Sequence, residues 1–276
     1  MYQYIINKKF ENLSIREFLE YFKISQKKIN WIVNDKKYSV NGKVKEKLEL
    51  NDVLTFDSDC FMEHYVEPVF RDLEVIYQDE YLLIVNKPSN LIIHGDEELT
   101  LDKIVAGYLV NNGYDPVPRH LYRLDKDTTG CMVYALDPLT LAKLSNDLEN
   151  KKLTKTYLAL VSGQMKDKNG IINSKISSDR HVNGKMTISK NGKEAITYYD
   201  VLKFDGKNSL LRVKIETGRT HQIRVHMSSI GHPLIGDELY GKKSNQKLQL
   251  QAETVTLVHP FMKKSLTLKV RLPIQM

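Results

Sequence analysis

Ile15, Phe18, Leu19 and Phe22 recur at three- and four-residue intervals, which predicts a short amphipathic helix near the N-terminus. Ser14 and Glu17 form a capping-box pair at its start, and Leu13 with Phe18 is placed as a hydrophobic staple. A second helix is predicted from Ser25, with Ile29, Ile32 and Val33 inward and Lys27 and Lys28 on one side. Asn41-Gly42 between Val40 and Val44 predicts a two-residue hairpin turn, and "DVLTF" a strand after it. Residues 1–60 therefore read as a small module that carries Lys27, Lys28, Lys43 and Lys45 on its helix and hairpin edge, and that can be removed with the rest still folded. Residues 61–72 show no period and carry Pro68, so they read as a linker.

From residue 73 the pattern changes. "LEVIYQDEYLLIVNKP" predicts two strands around a tight turn, and residues 100–111 a helix that ends before Gly113. Asp137-Pro138 is a cap with proline at the first helical position, followed by Leu141, Leu144 and Leu148 along a helix. "TYLALVSG", "AITYYDVLKF", "SLLRVKIE", "VTLVHP" and "SLTLKVRLP" read as strands, and "GRTHQIRVHMSSIGHP" as a helix entered through a glycine. Strands and helices alternate irregularly. The fold class expected is α+β, a mixed, largely antiparallel sheet flanked by helices, and not a doubly wound parallel sheet.

Composition narrows the partners. The 276 residues carry a formal net charge of +7, which favours a polyanion, nucleic acid first. The 15 tyrosines add rings that can stack on unpaired bases. No apolar run approaches the ~20 residues needed to span a bilayer, so no membrane partner is expected. The N-terminus has no secretory pattern, and Cys60 and Cys131 form no disulfide framework, which leads to the expectation of a cytoplasmic protein.

The densest polar stretch is "RHLYRLDKDTTG", residues 119–130. Asp125 lies in it on a predicted turn, where Thr128 and Thr129 can bond local backbone and Gly130 can release the chain into "CMVYAL". A carboxylate held there is a candidate nucleophile or base. The alternative is a capping aspartate, a job that Asp127 fits better. His221, His226 and His232 suggest a metal, but spacings of five and six residues do not put two imidazoles on one helix face, so no metal is expected from them.

The ordered set "NKPSNL", "RLDKDTTG", "KTYLALVSG", "TGRTHQIRVHMSSIGHPLIGD" and "LQAETVTLVHP" resembles the RluA family of RNA pseudouridine synthases, over residues 73–276. The module at residues 1–60 is similar to the small αL-type RNA-binding domain (the S-four domain) that precedes the catalytic domain in many members. The resemblance implies isomerisation of uridine to pseudouridine in RNA without metal or cofactor, by a chain expected to act as a monomer. Ribosomal RNA of the large subunit is favoured over transfer RNA. By resemblance Asp125 is the catalytic aspartate, Arg224 pairs with it, and Tyr157 stacks on the uracil and takes part in proton removal. Arg123 fills the gap left by the flipped base. Arg219, His221 and Gln222 complete the RNA-contacting set, the last two by ordering the wall of the site.

Two positions depart from the family pattern: Tyr122 stands where a histidine is usual, and Asn90 where a glycine is usual. Two other functions compete: a non-catalytic RNA-binding or ribosome-assembly factor, and a hydrolase of the same bond, which needs a positioned water and normally a second carboxylate.

Overall fold

The structure is a computed structural model that describes residues 1–243, 245–262, 264–271 and 274. In the first sixty residues, β1 (Tyr2–Ile5), β2 (Tyr38–Val40) and β3 (Val53–Phe56) form an antiparallel sheet in the order β1-β3-β2, beside helices α1 (Ile15–Tyr21) and α2 (Gln26–Asn34). The capping box is present: Glu17 N–H donates to the Ser14 hydroxyl and Ser14 N–H to the Glu17 carboxylate. The Asn41-Gly42 turn also forms, with both residues at positive φ. The hairpin stops there, because Val40 and Lys43 form one isolated bridge and β2 finds its partner in β3. Pairing with the longer apolar strand buries Tyr38 and Val40, which the lysine-rich return stretch could not do.

Beyond the linker come β4 (Val75–Gln78), β5 (Leu82–Lys87), α3 (Leu101–Asn111), β6 (Arg119–His120), β7 (Thr129–Ala135), α4 (Pro138–Glu149) and β8 (Thr154–Ser162). They are followed by β9 (Asn169–Asn173), β10 (Ile176–Ser178), β11 (Met186–Ile188), β12 (Ile196–Phe204), β13 (Asn208–Ile215), α5 (Gln222–Ser229), β14 (Leu250–Val258) and β15 (Ser265–Lys269). The large sheet runs β4-β5-β7-β14-β8-β13-β12-β9, with β15 beside β14 and β6 beside β7. Among the described residues only β7 and β14 pair in parallel; the sheet is mixed and largely antiparallel as expected. The last strand reading ran to Pro273, and there Leu272 and Pro273 lie outside the described residues.

The stretch after the small sheet is packed more closely than a free linker. Phe61 is buried in the N-terminal core, Val66 N–H donates to the Pro116 carbonyl, and Val69 N–H to the Lys103 carbonyl. A Cβ on Gly107 of α3 would lie 2.4 Å from the Val69 carbonyl oxygen, so that glycine lets the segment lie on the helix. Arg119, which opens the dense polar stretch, donates to the Leu136 carbonyl, the Tyr2 hydroxyl and the Glu63 carboxylate. It joins linker, module and sheet, and takes no part in the cavity described below.

Candidate active site

The parallel junction at the middle of the sheet places the site. Gly130 faces Ala252 on one side of β14, and Tyr157 faces the same Ala252 on the other. Gly130 sits at φ +113, and an added Cβ would fall 2.3 Å from the Ala252 carbonyl oxygen. Its glycine is required both by conformation and by this close approach. The chain just before it, which carries Asp125, therefore rises at the sheet centre within two strands of Tyr157.

Lys87, at the end of β5, clamps that loop. Its ammonium is fully buried and donates to the Lys126 carbonyl at 2.8 Å and the Pro88 carbonyl at 2.9 Å. Burial pushes its pKa down to about 8, against the opposing pull of the Asp127 and Asp125 charges. The Lys126 carbonyl also accepts from Leu91 N–H, and Thr128 N–H closes the turn onto the Asp125 carbonyl. Asn90, the departure from glycine, takes φ +61, where asparagine is the side chain best tolerated after glycine. The local bonds expected of Thr128 and Thr129 side chains are not formed. The Thr128 hydroxyl is buried without a partner, and Thr129 reaches across to the Leu250 carbonyl, because the β14 crossing occupies the space beside the turn. Asp127 makes no capping bond among the described residues.

Arg224 reaches Asp125 from α5. Its Nη1 lies 3.9 Å from Asp125 Oδ2, while Nε and Nη2 donate to the two oxygens of Asp237 at 2.8 and 2.9 Å. Asp237 is thus the tight partner, with its side chain fully buried. It fixes the guanidinium as a fork and leaves Nη1 to face Asp125. Burial works against the charged arginine, but Asp237 and then Asp125 outweigh it and hold its pKa above the ordinary value. The Tyr240 ring lies 5.2 Å from the guanidinium, and the Tyr240 hydroxyl is 2.9 Å from His221 Nδ1. His221, not a glycine, makes the left-handed turn into α5, at φ +54, whereas Gly218 has no positive φ. Such a residue costs about 1–3 kcal/mol and persists because its surroundings fix it.

These groups meet around a cavity of about 760 Å³, lined by Asp125, Tyr157, Arg224, Arg123, Arg219, His221 and Gln222 among others. That volume is in the range of sites for nucleotide-sized ligands. Tyr157 is 4% exposed, and burial, then the Asp125 charge, push its phenol well above the ordinary range. It remains protonated at neutral pH, so it offers the cavity a flat ring and an O–H, not a phenolate.

The expected site residues divide into two groups. Asp125, Tyr157, Arg224, Arg123, Arg219, His221 and Gln222 share the cavity, while Lys27, Lys28, Lys43 and Lys45 stay on the module. Gln222 is 3% exposed, and its amide bonds Thr217, Arg219, Ile196 and Thr197, so it builds the wall and leaves nothing for RNA. Lys45 is ion-paired with Glu49 at 2.9 Å and Asp52 at 3.2 Å, and Lys28 lies 4.8 Å from the Phe61 ring centroid; Lys27 and Lys43 are exposed. His221, His226 and His232 do not converge: His226 is buried against Thr197 and Ser174, and His232 bonds the Ser162 carbonyl. The residues missed were Lys87, Asp237 and Lys155. All three stood inside motifs quoted whole, "NKPSNL", "GHPLIGD" and "KTYLALVSG", but only the fold shows that Lys87 grips the Asp125 loop and Asp237 grips Arg224.

With this geometry in place, the model of the family described as RNA pseudouridylate synthase matches residues 81–229, more than half of the chain. The chain belongs to that family. It is 38% identical over 218 residues to the RNA pseudouridine synthase YhcT of Bacillus subtilis (strain 168), covering 76% of this chain and 72% of that protein. Ribosomal large subunit pseudouridine synthase D of Escherichia coli (strain K12) is 36% identical over 223 residues, covering 76% of this chain and 66% of its own length. Among solved structures, human RNA pseudouridylate synthase domain containing 1 superposes with a TM-score of 0.63 at 27% identity, covering 75% of this chain and 87% of that one. The pseudouridine synthase fold and reaction anticipated from the motifs are those of these relatives.

Proposed function

We propose that this pseudouridine synthase isomerises uridines of large-subunit ribosomal RNA, with Asp125 as the catalytic carboxylate. The observation that carries the assignment is the single carboxylate held at the cavity by a guanidinium that is itself held from behind by Asp237. Isomerisation breaks the N1–C1′ bond, turns the uracil and joins C5 to C1′, with the C5 proton lost and one gained at N1. No atom and no electron pair is gained overall. One carboxylate at the sugar is enough, and Arg224 Nη1 faces it at 3.9 Å. Tyr157 supplies the wall on which the detached ring turns.

Arg123 is exposed at the cavity mouth, two residues before Asp125, where a planar guanidinium can take the place of the extracted base in the stack. Lys155 lines the same cavity with no carboxylate bonded to it among the described residues, and RNA phosphate supplies a counter-charge. Tyr122, the departure from histidine, makes no hydrogen bond to Asp125 among the described residues. Its O–H donates to the Cys131 carbonyl and its ring lies 3.9 Å from Lys155 Nζ, so it supports that lysine. The choice of large-subunit RNA rests on the similarity to the Escherichia coli protein of that name. A hydrolase of the same bond is disfavoured because Glu216, the second carboxylate among the described residues that line the cavity, is engaged by Lys151 and Tyr198.

Incubating the purified chain with uridine-labelled large-subunit RNA and with transfer RNA tests both parts of the proposal. The expected product is pseudouridine, in the large-subunit RNA. Free uracil would mean hydrolysis, conversion of transfer RNA alone would overturn the substrate, and no change in either would overturn catalysis.

A further inference from the structure

Three elements bring ligand-bearing side chains together outside the catalytic constellation. His94 follows the "NKPSNLII" segment, Asp102 lies in the first turn of α3, and His120 is on β6. Their relative placement is fixed by backbone: Leu101 N–H donates to the Ile92 carbonyl and Asp102 N–H to the Ile93 carbonyl, both at 2.9 Å, and His120 is the cross-strand neighbour of Tyr134. One ligand atom from each of His94, Asp102 and His120 lies within 4.8 Å of the other two. We propose that these residues form a binding site for a zinc-class divalent cation at the rim of the catalytic cavity, with two imidazoles and one carboxylate as ligands.

The two imidazoles are already spaced for a shared ion. With Zn–N bonds of 2.0–2.1 Å, two ring centroids at a tetrahedral angle lie about 5 Å apart. The His94 and His120 centroids are 5.2 Å apart. His120 Nδ1 and Asp102 Oδ2 are 3.1 Å apart, close to the ~3.4 Å that separates two ligands of one tetrahedral ion. His94 is exposed and free to close the remaining gap.

The carboxylate is prepared as well. Asp102 is buried, and its other oxygen, Oδ1, accepts from the buried Tyr134 hydroxyl at 2.9 Å; Oδ2 is hydrogen-bonded to His120 Nδ1, and a cation held by both replaces that one bond. A ligating carboxylate is commonly held in this way by an outer hydrogen bond. One negative charge and two neutral imidazoles suit a borderline divalent ion, and three protein ligands leave a position for an oxygen ligand. His94 also lines the catalytic cavity, so the site borders it.

The test is a titration of the full chain, first stripped with a chelator, with Co²⁺ followed by its visible bands and then by displacement with Zn²⁺. One equivalent should bind with the intense bands of a four-coordinate ion. His94→Ala, at an exposed position where folding is not at stake, should weaken binding by about 100-fold or more, and Tyr134→Phe by about tenfold or more. His181→Ala, at a distant exposed histidine, should bind as the unmodified chain does. Absence of saturable binding would overturn the proposal. So would one equivalent bound equally well by His94→Ala and His120→Ala, or a pale six-coordinate spectrum.

Discussion

Lys155 carries its charge into the cavity against the face of Tyr122, and burial alone pulls its pKa down to about 8. Between about 8 and the ordinary 10.5 the unfolded chain binds more protons at this position than the folded one, so stability rises with pH across that window. The tyrosine ring recovers part of the cost of the buried charge. Lys155→Met should therefore stabilise the protein near neutral pH by about 1–3 kcal/mol, and the gain should shrink toward zero as pH approaches the ordinary lysine value. Urea unfolding of both proteins at neutral and alkaline pH measures it. A gain that is the same at both pH values would show that packing, not charge, is what the methionine changes.

At the level of elements, the proposed catalytic constellation depends on the parallel pairing of β7 with β14. Gly130→Ala must place a methyl 2.3 Å from the Ala252 carbonyl oxygen at a φ of +113, so β7 and β14 have to separate. The expected loss is about 3 kcal/mol or more, seen in denaturant unfolding, together with loss of activity. An alanine variant of unchanged stability would mean that this junction does not hold the Asp125 loop. Helices α1 to α4 were legible because their caps are local: Ser14, Ser25, Thr100 and Asp137 each accept from their own first turn. Longer strands with alternating or continuous apolar runs were legible as strands too, but β1, of four residues, was not anticipated, and β9, β10 and β11 are short and polar and carried no periodic signal. Asp125, Tyr157 and Arg224 could be picked out from their motifs, but not the Arg224–Asp237 fork or the Lys87 clamp. Lys87 meets Lys126 across 39 residues, and Arg224 meets Asp237 across 13 residues that run past the end of α5, so no local pattern encodes either contact.

For the whole molecule, the N-terminal module is joined to the rest by a shared core. Tyr4 donates to Asp137 Oδ1 at 2.8 Å, so the cap of α4 is completed by β1. Phe261 stacks between Tyr4 and Tyr81, Leu139 is buried in the module's aromatic cluster, and Lys9 and Tyr21 both donate to the Pro260 carbonyl. The sequence suggested a removable module, because the apolar residues that face it, Leu139 and Phe261, sit far along the chain among unrelated motifs. Deleting residues 1–60 should expose both side chains, at about 1.5–3 kcal/mol each, and lower the melting temperature or cause aggregation. An unchanged melting transition for the truncated chain would show that the interface contributes little. The RNA-binding role expected of the module is better tested in the full chain. Lys27→Ala with Lys43→Ala should reduce the log–log salt slope of RNA binding by about 0.7–0.9 for each phosphate that the lysines no longer neutralise, and an unchanged slope would assign these lysines to solvent.

The most direct measurement is single-turnover pseudouridine formation by Asp125→Asn on an RNA that the unmodified chain converts. The amide keeps the size of the carboxylate and removes its charge and basicity, while Arg224 stays in the grip of Asp237. No detectable pseudouridine is expected, with RNA affinity within a few-fold of the unmodified protein. Measurable turnover by a clean Asp125→Asn preparation would contradict this and move the chemistry to another group in the cavity.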